Sequence, residues 1–83
     1  MNTTEEVKLV LGQALRLGDR AHQFDAQTAL FGSIPEFDSM AVVTVITALE
    51  DRFGITIDDD EITGEVFATV GSLAQFVSTK LAV

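Results

Sequence analysis

Apolar residues recur with the period of an α-helix in three stretches of this chain. Val7, Val10, Leu11, Ala14 and Leu15 follow at i, i+3, i+4, i+7 and i+8, which predicts an amphipathic helix over about residues 4–17. Thr3 with Glu6 fits a capping box at its start, and Gly18 is the expected stop. In the second stretch Val42, Val45, Ile46, Leu49 and Phe53 form the buried stripe of a helix from Ser39 to about Phe53, with Met40, Val43 and Thr47 on a neighbouring face. Asp38 is a good N-cap for it, because its carboxylate can accept from the free N–H groups of the first turn. Phe37 and Val42 are spaced for a hydrophobic staple, and Gly54 ends the helix. In the third stretch Val70, Leu73, Val77 and Leu81, joined by Phe76, give the inner face of a helix over about residues 70–81 that Thr69 can cap.

Between these stretches the periodicity fades. Asp19–Phe37 is long for a connection in a compact domain, which argues for local order within it. Asp25 to Leu30 can make one helical turn, Gly32-Ser33 is a turn signal, and Phe24, Leu30, Phe31 and Ile34 are expected to pin the loop to the core. Ile55-Thr56-Ile57 alternates like a strand but is too short and isolated for a sheet, so it reads as an extended linker with two buried isoleucines. One of the aspartates at 58–60 is expected to cap a short helix over roughly Asp59–Val66, with Ile62 and Val66 inward. The fold class is therefore all-α: one domain over residues 1–83, a four-helix bundle with three longer helices, a short third helix, and a long loop between helices 1 and 2.

Composition narrows the function. The chain has 83 residues, no cysteine and a net charge of −8, so neither disulfides nor thiolate metal sites hold it together. Residues 1–35 carry four acids and three bases, whereas residues 36–83 carry nine acids against Arg52 and Lys80. That asymmetry serves solubility or a docking surface for basic partners. It disfavours nucleic acid and anionic membrane surfaces, which require clustered lysine and arginine. No apolar run is long enough to span a bilayer, and the acidic start Met1–Glu6 lacks the composition of a targeting peptide, so a cytoplasmic protein is expected.

Candidate chemistry is sparse. His22 is the single histidine, in a polar loop without a second nitrogen or sulfur ligand nearby, and reads as solvated. An EF-hand frame beginning at Asp59 places Gly64 and Val66 suitably but has Val70 where the bidentate glutamate belongs, so no metal site is expected. Ser39 lacks the Gly-x-Ser-x-Gly elbow of a hydrolase nucleophile. It does fall on the first helical residue after Asp38, where orphan N–H groups and the macrodipole favour a phosphate. Ser39 is thus either a helix-start residue or a point of attachment.

The order of features decides between these. Leu30-Phe31-Gly32-Ser33-Ile34-Pro35-Glu36-Phe37-Asp38-Ser39-Met40, Ala48 to Phe53, Ile55 to Glu61 and Phe67-Ala68-Thr69-Val70 together resemble an acyl carrier protein, with Asp38-Ser39-Met40 similar to the family's Asp-Ser-Leu signature. The motif-bearing match runs from Leu30 to Leu81, and the first helix fits as well. The resemblance implies that a phosphopantetheinyl transferase attaches a 4′-phosphopantetheine arm from coenzyme A to Ser39. The arm's thiol then holds acyl groups as thioesters for acyl-transferring or synthase enzymes, and the protein itself is not an enzyme. It implies contact with partners through Asp38, Met40, Val43, Glu50 and Asp51. It also implies an acyl cleft lined by Val42, Ile46, Ile57, Ile62 and Phe67, residues that serve equally as plain core. A monomer suits a shuttle that visits several active sites.

One departure bears on the pathway. Ala41 and Thr44 stand where carriers of general fatty-acid synthesis often have acids. That favours a dedicated carrier in a specialised fatty-acid, polyketide-like or lipid-modification pathway. The alternatives are a peptidyl or D-alanyl carrier and an unmodified carrier-like docking adaptor.

Overall fold

A computed structural model describes residues 3–33 and 38–81. Within them the chain forms α1 (Thr3–Ala14), a 3-10 stretch (Gly18–Gln23), α2 (Leu30–Ser33), α3 (Ser39–Phe53), a 3-10 turn (Asp59–Glu61) and α4 (Val70–Leu81). The all-helical expectation holds: four α-helices, three of them 12–15 residues long, and a single antiparallel bridge between Ala29 and Thr69 as the β pairing among the described residues. α1 packs against both α3 and α4. Val7 and Leu11 of α1, Val45 and Leu49 of α3, and Val70, Leu73 and Val77 of α4 are fully buried in one apolar cluster. The three predicted stripes are thus the core, with Ala41 and Ala74 added and with Leu81, at the open end of α4, exposed instead of inward.

α3 has the predicted boundaries. Gly54 ends it with φ +66°, and its N–H returns to the Glu50 carbonyl at 2.9 Å. A β-carbon is disfavoured in that left-handed conformation, which explains a glycine there. The staple from Phe37 to Val42 and the anchoring by Ile34 lie outside the described residues.

The ends of α1 differ from expectation. The helix begins at Thr3 itself, and the Glu6 carboxylate accepts from Arg52 of α3 at 2.8 Å, not from a cap. At the other end Arg16, two residues before Gly18, is the first residue to turn left-handed, with φ +55°, and Gly18 follows with φ +61°. Leu17 N–H closes a six-residue bond onto the Gly12 carbonyl at 2.9 Å, and Leu17 itself is buried. This is a Schellman stop driven by the return of Leu17 to the core. Gly18 instead opens the 3-10 stretch.

The described part of the long connection, up to residue 33, is ordered, but not by the predicted turn. Asp25 makes an Asx turn, its Oδ1 accepting from Gln27 N–H at 2.9 Å, and the helical turn comes later as α2. Leu30 is buried and Phe24 half-buried, whereas Phe31 is exposed. Gly32-Ser33, read as a turn, belongs to α2. The predicted helix over Asp59–Val66 shortens to a 3-10 turn followed by turns, although Ile62 and Val66 do pack on the core. Glu61 Oε1 accepts from Asp58 N–H at 2.9 Å and from Lys80 Nζ of α4 at 2.6 Å.

Candidate functional site

The first turn of α3 carries Ser39. Asp38 is extended (φ −115°, ψ −170°), and its Oδ1 accepts from Ala41 N–H at 2.9 Å while its carbonyl accepts from Val42 N–H at 3.0 Å. Those two bonds satisfy the third and fourth N–H groups of the helix. Among the described residues no acceptor meets the first two, those of Ser39 and Met40, which point outward along the axis. The Ser39 side chain is exposed beside them. A phosphodiester on the Ser39 hydroxyl therefore fits: it would lie beside the first-turn N–H groups, at the positive end of a 15-residue helix.

Downstream of Ser39 the outer face of α3 is neutral. Met40 is 71% exposed and Val43 58%. Leaving side chains of this size in water forgoes about 1.5 kcal/mol or more each, so the fold itself gives no reason for them. Thr44 and Thr47 are also exposed, and their hydroxyls donate back to the Met40 and Val43 carbonyls at 3.1 Å. Ala41 is buried, so of the two positions where an acid was expected only Thr44 lies on the outer face; alanine fits at 41 because the helix presses it against the core.

The remaining site residues divide. Asp51 is exposed near the end of α3, whereas Glu50 is half-buried, its Oε2 accepting from Ile57 N–H at 2.9 Å. Glu50 therefore holds the extended linker onto α3, a role that spacing along the sequence does not reveal. Of the expected cleft residues, Ile46, Ile57 and Phe67 are buried together in the core cluster, and Val42 and Ile62 pack against it half-exposed. All five thus belong to or border the one apolar core, as core residues would.

Two further features lie apart. A cavity of about 460 Å³ opens between α1 and the 3-10 stretch, lined by Glu5, Lys8, Leu9, Ala21 and His22 among others, and shares no residue with the Ser39 surface. His22 is exposed there. Sequence reasoning also missed how the long loop is held: Val70 N–H bonds the Thr28 carbonyl at 3.0 Å, Gly71 N–H the Ala26 carbonyl at 2.8 Å, and Leu30 N–H the Ala68 carbonyl at 3.1 Å. The signal available was Thr69 as a cap with Gly71 two residues on.

Comparison with known proteins agrees with this geometry. The family model described as the phosphopantetheine attachment site matches residues 5–77. A protein of Exiguobacterium sp. (strain AT1b) described as an acyl carrier protein is 31% identical over 81 residues, 95% of this chain and 99% of its own. Another, from Beutenbergia cavernae, is 37% identical over 43 residues, about half of either chain. The solution NMR structure of a holo acyl carrier protein from Nitrosomonas europaea superposes with a TM-score of 0.92 and 53% identity over the whole of both chains.

Proposed function

The chain belongs to the acyl carrier protein family, and from that premise we propose that Ser39 is where its 4′-phosphopantetheine is attached. The observation that carries this is the exposed Ser39 at the mouth of α3, beside the N–H groups of Ser39 and Met40 that meet no acceptor among the described residues. When attached, the arm supplies the thiol that holds acyl groups as thioesters. Asp38 holds the helix start so that the serine projects into solvent. Met40 and Val43, with Asp51 further along, offer the surface on which a phosphopantetheinyl transferase and then acyl-handling enzymes settle. The exposed fraction of that surface supports the reading. Val42, Ile46, Ile57, Ile62 and Phe67 form the apolar interior nearest α3 into which an acyl chain withdraws. The chain itself catalyses nothing and acts as a cytoplasmic monomer, raising the local concentration of its cargo at each enzyme in turn.

The neutral face after Ser39 supports a dedicated role in a specialised acyl pathway over general fatty-acid synthesis. Thr44 carries this point, since Ala41 is buried. The test is mass spectrometry after incubation with coenzyme A and a broad-range phosphopantetheinyl transferase. Wild type should gain a single phosphopantetheine adduct and Ser39→Ala none. An adduct that persists in Ser39→Ala would move the attachment point elsewhere.

A further inference from the structure

The cavity of about 460 Å³ between α1 and the 3-10 stretch has a regular construction. Its α1 wall is Glu5, Lys8, Leu9, Gly12 and Gln13, spaced i, i+3, i+4, i+7 and i+8. A second helical stripe therefore faces it, beside the stripe that enters the core. From Glu5 to Gln13 that wall runs about 12 Å. On the opposite side, residues three apart in a 3-10 helix eclipse one another, so Gly18 pairs with Ala21 and Asp19 with His22. The first row is small, and Ala21 presses on α1: a β-carbon on Gly12 would lie 2.9 Å from Ala21 Cβ. The second row is polar and exposed. The result is a trough floored by glycine and alanine. Its apolar side is Leu9, 37% exposed, with the methylenes of Lys8, whose side chain is only 14% exposed. Both the volume and the mix of apolar walls with few polar groups are those of a small-molecule site.

The charges at the rim select the ligand. Lys8 Nζ lies 3.3 Å from Glu5 Oε2, so those two offset each other. Asp19 has no ionic partner among the described residues, and the chain around it carries a net charge of −8. We propose that this trough binds a small organic cation: an amine on an apolar body, its ammonium toward Asp19 and its body on Leu9, Gly12 and Ala21. A carboxylate ligand would have to draw Lys8 off Glu5 and would meet Asp19 with like charge. An uncharged ligand of the same shape would take water from Asp19 and return nothing. An ammonium replaces that water with an opposite charge, and the acidic chain gathers cations toward it. The trough shares no residue with the Ser39 surface, so the site does not depend on attachment there.

The test is a titration of the whole chain, followed by amide NMR, with tryptamine, tryptophol and indole-3-acetate. These share one ring system, and at neutral pH they are a cation, a neutral molecule and an anion. Tryptamine should shift the Leu9, Gly12, Gly18 and Ala21 amides to saturation with a Kd of about 1 mM or tighter. Tryptophol should bind about threefold more weakly, the scale of one exposed charge pair, and indole-3-acetate more weakly still. Asp19→Asn keeps the shape of the rim and should cost tryptamine that same factor while leaving tryptophol no weaker. Asp60→Asn removes an equal charge outside the trough and should match wild type. The proposal is overturned if tryptophol or indole-3-acetate binds as tightly as tryptamine, or if Asp19→Asn and Asp60→Asn lose equally. Shifts that never saturate, or that centre on residues outside the trough, overturn it as well. Modification of Ser39 is read by a separate measurement, so failure here leaves the attachment point untouched.

Discussion

Two helix starts in this molecule use the same capping chemistry and have opposite fates. At α4 all four leading N–H groups are taken: Val70 by the Thr28 carbonyl, Gly71 by the Ala26 carbonyl, Ser72 by Thr69 Oγ1 and Leu73 by the Thr69 carbonyl, at 2.8–3.1 Å. Ser72 Oγ returns the bond by accepting from Thr69 N–H at 2.9 Å, and Val70 is fully buried. At α3 Asp38 takes only the third and fourth, and Ser39 and Met40 stand in solvent. A side-chain cap by itself therefore does not make a site. What distinguishes α3 is that no neighbouring loop closes over its first two N–H groups among the described residues, so the serine stays available to an enzyme.

The largest effect should come from forcing the closed start apart. A β-carbon on Gly71 would lie 2.7 Å from the Ala26 carbonyl oxygen, a backbone atom held in place by its own bond to Gly71 N–H. Gly71→Ala is expected to lower stability by about 2 kcal/mol, the usual scale for overpacking. Urea unfolding measures it. Modification of Ser39 in the folded fraction should be unaffected, because the two starts share no bond. A loss of modification in step with stability would show that the loop couples them.

Smaller, matched effects separate the two caps. Asp38→Ala and Thr69→Ala each remove one acceptor from a helix start, and each should cost about 1 kcal/mol. Only Asp38→Ala should also slow transferase modification, since it alone orients Ser39. Equal rates in the two variants would reduce Asp38 to a structural cap and shift the weight of recognition onto Met40 and Val43.

The open start was legible in the sequence and the closed one only in part, for a physical reason. Asp38, Ser39 and Gly54 act on their own neighbours, so local chemistry places α3 to the residue. Thr69 was legible in the same way. The carbonyls of Ala26 and Thr28 that close Gly71 and Val70 lie more than forty residues earlier, and nothing local announces them. The same holds for Arg16, which adopts a left-handed conformation because Leu17 must reach the core, although a glycine stands two residues on. The site shows the same limit. Exposure of Met40 and Val43 followed from their place on the helix, but the burial of Ala41 and the linker bond of Glu50 depend on what packs beside them.

The smallest expected effect concerns the far end of α4, where closure continues through a charge. Lys80 Nζ donates to Glu61 Oε1 at 2.6 Å and sits 5.8 Å from the Phe76 ring centre. The bond from Lys80, reinforced by Asp58 N–H, holds the Glu61 carboxyl below its ordinary range. A folded-state value below the unfolded one adds stability at pH values above the unfolded value, and that stability is lost as pH falls through the folded one. Both side chains are partly exposed, so the contribution is that of a surface pair and small. Glu61→Gln keeps an acceptor for Asp58 N–H and removes only the charge. Its urea midpoint should lie slightly below wild type at neutral pH, and the two should converge once acid has protonated Glu61 in wild type. A gap that persists at low pH would mean that the side chain's packing, not its charge, ties this turn to α4. Ser39 modification at neutral pH should be the same in both, because the open start has no bond to this end of the molecule.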